Sequence, residues 1–502
     1  MKLEGQTAIR GVASVGATNL AVRLIGYAKH VIIAAYIGLS AHLDAFYMAF
    51  AVMSLVVFSF GDVFDSLGVP RLVDALRREG EDSFKKAAGG FLAFSFLLSI
   101  ALGATLLLVA PWASAIAPGF TVEKREFIYR SLLYLSPVVL FYLPHHAIGS
   151  FLRVKRRFLS FYLGELIFAV VSLAVVYLWR DFPYVVPLSV TLATFAAFLY
   201  VCFVGKGCFR MGDIRYGEEL RAITIQFFRI LPLYLISYMY VLVDRTFASF
   251  LPTGGVSALS YGMLIVMIPP SILMIENIFI TPLAESPERG ELMNRIINGA
   301  IITSVPLAVF TVMNAEIIVQ AGLERGVFTS ASTEMTADAL AFFGLALPAF
   351  FILPISFRLF QILGKLVSIS VVGLLCVISN AFLNYFFLNM GMGIKGLALA
   401  TSLSNYLSVA GAAVLLARLG IRAFTKRTLW VFLVSLAASV AAMGIAGLVP
   451  GPSGSLGGLI LRGSAFLIAA AGLYRVIPNS ELKEWRNTVI REILPSRTGT
   501  PC

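Results

Sequence analysis

The chain has 502 residues, of which 59% are hydrophobic and only 13% charged, with a mean hydropathy of +0.89. A soluble domain is about 45–50% apolar and about 25% charged. Apolar runs of about 20 residues also recur from end to end, which excludes a single anchor on a soluble enzyme. The net charge of +12 fits basic loops gathered at one membrane face better than nucleic-acid binding.

The opening residues, MKLEGQTAIRGVASVGATNL, lack the short apolar core and small-residue cleavage site of a signal peptide, so the first helix is expected to be retained. Within that helix the stretch LAVRLIGYAKHVIIAAYIGLSAHLDAF (20–46) carries Arg23, Lys29 and His30 inside the apolar run, with Asp44 just beyond it. A cation near the bilayer centre costs roughly 2.5–3.5 kcal/mol on insertion scales, so it persists only against water, a partner charge or a ligand. Arg23 stands about thirteen residues, roughly 20 Å, from the helix start, too far for easy snorkelling. Arg23, Gly26 and His30 fall on one helical face, with Lys29 on its flank. That face is the expected lining of a central cavity for an anionic cargo. Asp44 is expected at the outer mouth, capping the second helix through its first-turn amides.

Apolar runs set against polar breaks predict about fourteen helices, near 10–38, 45–70, 87–117, 127–152, 161–180, 184–204, 222–251, 257–283, 293–321, 337–362, 366–388, 394–418, 428–449 and 457–477. Pro137, Pro144, Pro232, Pro269, Pro270, Pro348 and Pro354 each remove a backbone donor and predict kinked helices around a cavity. Asp62 and Asp65, with Glu276 further on, sit toward one end of the second and eighth helices. They are candidates for a coupling cation or proton, or for a gate with Arg71 and Arg295. His145 and His146, in LPHHAIG, are adjacent, point in different directions and lack further ligand spacing, so no metal site is expected. Cys202 and Cys208 straddle a helix end and read as free thiols. Asp244 and Arg245, in YVLVDRTFASF (240–250), form a second charged cluster. Neighbours on a helix do not face each other, so Asp244 is expected to pair with Lys29 or Arg23.

Most Lys and Arg collect in alternate loops, while the loops LSAHLD (39–44), PTGG (252–255) and PGPSGS (450–455) carry almost no bases. The positive-inside rule then puts both termini in the cytoplasm and requires an even helix count. A shift of 214 residues lays AAYIGLSAHLDAFYMAF (34–50) on ASFLPTGGVSALSYGML (248–264), matching Tyr47 to Tyr261 and Asp62 to Glu276. Such faint self-similarity is the trace of a duplicated transporter half. The expected organisation is a six-helix lobe over 1–210, a second over 211–425, a helix pair over 426–480 and a tail over 481–502. There is no phosphate-cradling Gly-rich loop and no large extramembrane segment for a soluble catalytic domain, which points to a transporter rather than an enzyme.

The run VRLIGYAKHVIIAAYIGLSAHLDAFYMAF, the junction FASFLPTGGVSALSYG (247–262) and the segment GIKGLALATSLSNYLS (393–408) together resemble the MurJ, or MviN, lipid II flippase family. That family lies within the multidrug/oligosaccharidyl-lipid/polysaccharide exporter superfamily. The resemblance spans the chain. It implies an all-α polytopic membrane protein with two six-helix lobes around a cationic cavity and two C-terminal helices forming a groove for a lipid tail. The implied cargo is an undecaprenyl-diphosphate-linked saccharide, moved across the bacterial inner membrane by alternating access. The family's cavity arginines fall on Arg23 and, conservatively replaced, on Lys29, and its acid on Asp44. Val57 and Phe58 stand where the family has an arginine pair, Tyr261-Gly262-Met263-Leu264 where it has Tyr-Ala-Asp-Arg, and His30 where it has an acid. These departures favour a divergent member that handles lipid II or another lipid-linked glycan, with Arg245 restoring one positive charge.

The expected substrate-binding residues are therefore Arg23, Gly26, Lys29, His30 and Arg245, and the gating or ion-coupling residues Asp44, Asp62, Asp65, Asp244 and Glu276. Energy would come from the membrane potential or an ion gradient, with a cation or proton as the coupling ion. Partners beyond the bilayer and the lipid-linked saccharide would be cell-wall or polysaccharide assembly enzymes. The alternatives are a cation-coupled exporter of small amphipathic compounds, which predicts an acidic cavity, and a membrane-embedded glycan polymerase, which would need acids in a sizeable outer loop.

Overall fold

In a computed structural model, residues 2–209, 218–273, 275, 279–448 and 456–474 are described. Glu276, the 210/211 lobe division, the loop at 450–455 and the tail at 481–502 lie outside the described residues. Among those described every regular element is helical. Among the described residues twelve helices are long and apolar enough to cross a membrane, or fourteen if each of two bent pairs counts as one span. The expected all-α polytopic architecture is therefore what the chain adopts.

The described residues fall into two compact units. The first comprises residues 1–257 with 325–329, the second 258–324 with 330–502. The first unit holds α1 (Lys2–Ile37), α2 (Ala41–Met53), α3 (Ser59–Val109), α4 (Val122–Leu135), α5 (Val138–Val154), α6 (Phe158–Leu178), α7 (Val185–Val204), α8 (Glu218–Ala248) and the start of α9 (Gly255–Val266). The second continues with α10 (Ile268–Leu273), α11 (Ile280–Glu285), α12 (Arg289–Met313), α13 (Ala315–Leu323), α14 (Ser330–Gly344) and α15 (Leu347–Ile362). It closes with α16 (Leu366–Asn389), α17 (Gly393–Arg418), α18 (Lys426–Gly447) and α19 (Leu456–Tyr474).

Several boundaries differ from the sequence pattern for local reasons. The second helix starts at Ala41 because Ser40, in extended conformation, caps it by accepting from the Leu43 amide. A π-type turn at Ser54–Phe58 joins it to α3. The basic stretch at 71–86, expected as a loop, is helical apart from Gly80, whose φ of +81° marks the only break within α3. The runs at 127–152 and 337–362 are bent pairs, α4/α5 at 44° and α14/α15 at 51°. Pro137 and Pro348 stand at these bends, where proline removes a donor and clashes with the preceding turn. Pro144, Pro232 and Pro354 instead lie inside continuous helices.

In the first unit α3, α5 and α8 enclose an aromatic core. Phe64 lies 4.9 Å from Phe91 and 5.1 Å from Phe227, ring to ring, with Phe84 and Phe151 fully buried beside them. Such pairs contribute about 0.5–1.5 kcal/mol each beyond their area. In the second unit α18 packs on α12 and α19 on α18, with Phe310 and Phe466 5.4 Å apart. Asn294 Nδ2 donates to Ala423 O and Thr428 Oγ1, both at 2.8 Å, at the α18 N-terminus, where Thr425 and Thr428 form a reciprocal cap. Large apolar side chains such as Leu108, Phe203, Val367 and Ile468 stay exposed, which suits a lipid-facing surface and would be a liability in water. Cys202 and Cys208 are free thiols.

Candidate functional site

α1 brings Arg23, Gly26, Lys29 and His30 within two turns, all partly buried. A Cβ at Gly26 would meet nothing within 4 Å, so this cationic face borders open space rather than a packed neighbour. Lys29 makes no ion pair with any described residue, so the expected Asp244–Lys29 pair is not formed. A half-buried ammonium in an apolar helix without an acid is the residue type that a negative ligand would satisfy. The helix ends at Gly38, whose φ of +60° lets its amide bond back to Ala34 O. There the 325–329 segment docks on it, Val327 N–H donating to Ala35 O at 2.9 Å.

Arg245, in the last turn of α8, donates through Nη1 to Val256 O at 3.3 Å, and its guanidinium lies 5.6 Å from the Tyr47 ring centroid. It thereby bridges α2, α8 and the start of α9. Asp244 beside it is partly buried.

Asp44 does not cap its own helix. Ser40 holds that position, and Asp44, one turn further in and fully buried, points across the unit. Its Oδ2 accepts from Gly254 N–H at 2.7 Å and from Lys124 Nζ at 3.4 Å. Its Oδ1 accepts from the Ser257 amide at 2.9 Å and hydroxyl at 2.6 Å. It thus caps α9 and pairs with buried Lys124 on α4. Nothing in the run VEKREF signalled that Lys124 would be buried.

The acids of α3 gather a second cluster. Asp62 accepts from Tyr238 Oη of α8 at 2.8 Å. Asp65 accepts from Arg153 and lies 3.1 Å from His146 Nδ1, while His145 Nε2 lies 3.4 Å from Glu165 Oε1 of α6. Gly61 and Gly68, seven residues apart on one face of α3, allow this approach: a Cβ there would run into Tyr142 and Ser150 of α5. Arg71, an expected gate partner, donates to Gln226 at 3.5 Å. Tyr238 and Arg153 carried no sequence signal for this role, and the histidine pair was read only for metal. Among the described residues no group of three or more potential ligands could hold a metal.

Two departures from the family pattern have packing explanations. Val57 is fully buried, and the Phe58 ring lies 5.2 Å from Phe50 and 4.7 Å from Tyr142, so this stretch fills a hydrophobic seam. At the other, Gly262 lies so close to α14 that an added Cβ would come 3.0 Å from Ala339 Cβ.

A family model described as "Lipid II flippase MurJ" matches residues 33–451. A probable lipid II flippase MurJ of Rhizobium meliloti is 26% identical over 368 residues, covering 68% of each chain. The solved structure of lipid II flippase MurJ in an inward closed conformation aligns with a TM-score of 0.78 at 19% identity, over 92% of this chain and 99% of that one. An inward-facing multidrug resistance MATE family transporter of the MOP superfamily aligns with a TM-score of 0.65 at 14% identity, over 81% and 98% of the two chains. At those identities the solved structures speak for the fold, and the family model, spanning most of the sequence, for the lineage: the chain is a multi-pass membrane protein of the lipid II flippase MurJ family.

Proposed function

We propose that this chain is a flippase that carries an undecaprenyl-diphosphate-linked saccharide, lipid II or another lipid-linked glycan, across the bacterial inner membrane by alternating access. It acts as a transporter, not as an enzyme. The observation that carries the reading is the α1 face on which Arg23, open-sided Gly26 and unpaired Lys29 stand together. A diphosphate fits such a face because guanidinium engages phosphate oxygens bidentately, and the bond strengthens where water is scarce. Arg245 adds a positive charge from α8. The exposed apolar side chains of α18 and α19, among them Trp430, Leu433, Leu467 and Ile468, offer the surface for the polyprenyl tail. By the distribution of bases both termini face the cytoplasm. A cation or proton gradient, or the membrane potential, supplies the energy, and cell-wall or polysaccharide assembly enzymes are the partners.

An acidic cavity, the mark of a cation-coupled drug exporter, finds no support in the cationic α1 face. In proteoliposomes, Arg23→Ala and Lys29→Ala each abolish translocation of a fluorescent lipid-linked saccharide while leaving expression and thermal stability intact. Unchanged transport in both variants refutes the assignment.

A further inference from the structure

The two histidines of α5 each face a different carboxylate on a different helix. His146 meets Asp65 of α3, and His145 meets Glu165 of α6. His145 is only 4% exposed, and its Nδ1 finds no hydrogen-bond partner. We infer that this His145–Glu165/His146–Asp65 cluster is the proton-binding site that couples proton entry to lipid translocation. The inference rests on the flippase reading above and names its coupling ion and the residues that hold it.

The groups facing the histidines are few. From α3 come Asp62 and Asp65, from α6 Glu165, from α7 Tyr200, from α8 Tyr238, and from α5 itself Tyr142 and Arg153. With both imidazoles neutral, three carboxylates face one guanidinium, so the cluster carries two uncompensated negative charges inside the membrane span. A proton relieves one of them by turning one imidazole into an imidazolium hydrogen-bonded to its carboxylate. The two rings are 5.5 Å apart, close enough for a second positive charge to be disfavoured, so the pair shares one extra proton. Nearly sealed histidines and part-exposed carboxylates (38% for Glu165 and 28% for Asp65) give the proton a way in through the acids.

The cluster sits directly behind the helices assigned to the cargo. α6, which carries Glu165, packs on α1, the helix that carries Arg23 and Lys29. α8, bonded to Asp62 through Tyr238, carries Arg245 two turns further along on the same face. A proton that tightens the α3–α5 and α5–α6 pairs therefore acts on both supports of the diphosphate site.

The test uses the full chain in proteoliposomes with a fluorescent undecaprenyl-diphosphate-linked saccharide and the membrane potential clamped at zero. One proton per lipid makes a gradient of one pH unit worth about tenfold in the steady-state ratio of lipid between leaflets. The wild type is expected to show that shift. His145→Gln/His146→Gln and, separately, Glu165→Gln are expected to bring the ratio back to one. A trapped pH dye reports proton uptake on adding the lipid in wild type and none in the variants. A wild-type ratio indifferent to the gradient, with Arg23→Ala still abolishing translocation, overturns the proton site and leaves the flippase standing. A parallel loss of thermal stability and transport in both variants also overturns it, reducing the pairs to packing. No translocation under any gradient removes the flippase reading and the coupling with it.

Discussion

Asp44→Ala separates a structural clip from a gate. Asp44 is fully buried and accepts from four donors: two backbone amides, a hydroxyl and the ammonium of Lys124, itself 8% exposed. Removing one partner of a buried ion pair costs about 3–5 kcal/mol, because the other charge stays buried and uncompensated. Each stranded amide adds part of an unmade hydrogen bond, so about 4 kcal/mol is a lower-end total. For a unit of this size each kcal/mol moves the transition by about 2–4 °C, which predicts a fall on the order of 10 °C. The assay is thermal unfolding of the detergent-purified protein at one fixed scan rate, since such transitions are commonly irreversible. Lys124→Met in the Asp44→Ala background is expected to recover about half the loss, because it removes the buried charge at similar volume. A fall below about 3 °C for Asp44→Ala, or no recovery in the double variant, refutes the clip and returns Asp44 to the gating role expected from its position.

Gly326→Ala should loosen the end of α1. Gly326 sits at φ +59°, and an added Cβ would come within 2.1 Å of Ala35 O, so a loss of at least about 1–2 kcal/mol and faster proteolysis within 325–329 are expected. Wild-type resistance in that variant would show that the segment does not depend on this contact. Cys208 should resist alkylation at neutral pH, because burial pushes its thiol up and only 4% of the residue is exposed. Its labelling rate by iodoacetamide, read by mass spectrometry, should rise as pH climbs past the ordinary thiol range near about 8.5. Fast labelling at pH 7 contradicts this.

Much of the architecture was legible because its causes are local. Twenty apolar residues span hydrocarbon wherever they fall, so helix number followed from runs and breaks. The i, i+3, i+7 spacing put Arg23, Gly26 and His30 on one face before any coordinates. Proline was a weaker guide: Pro137 and Pro348 mark bends, whereas Pro144 and Pro354 lie within helices that neighbouring packing holds together. The second helix was read as starting late because Ser40, a single hydroxyl, carries the cap. For His145 and His146 the register showed that they diverge, but not what each would meet.

The sequence by itself determined that this is a helical membrane protein and that its first helix carries cations no isolated span would tolerate. Hydrophobic length and helical periodicity are properties of the chain read residue by residue. Only the tertiary structure decided which charges answer one another. Asp44 closes on Lys124, Gly254 and Ser257 across 80, 210 and 213 residues, and Asp65 on Arg153 across 88. Partners that far apart are chosen by how helices pack, where small residues permit close approach and a buried charge must find whichever donor the packing brings to it.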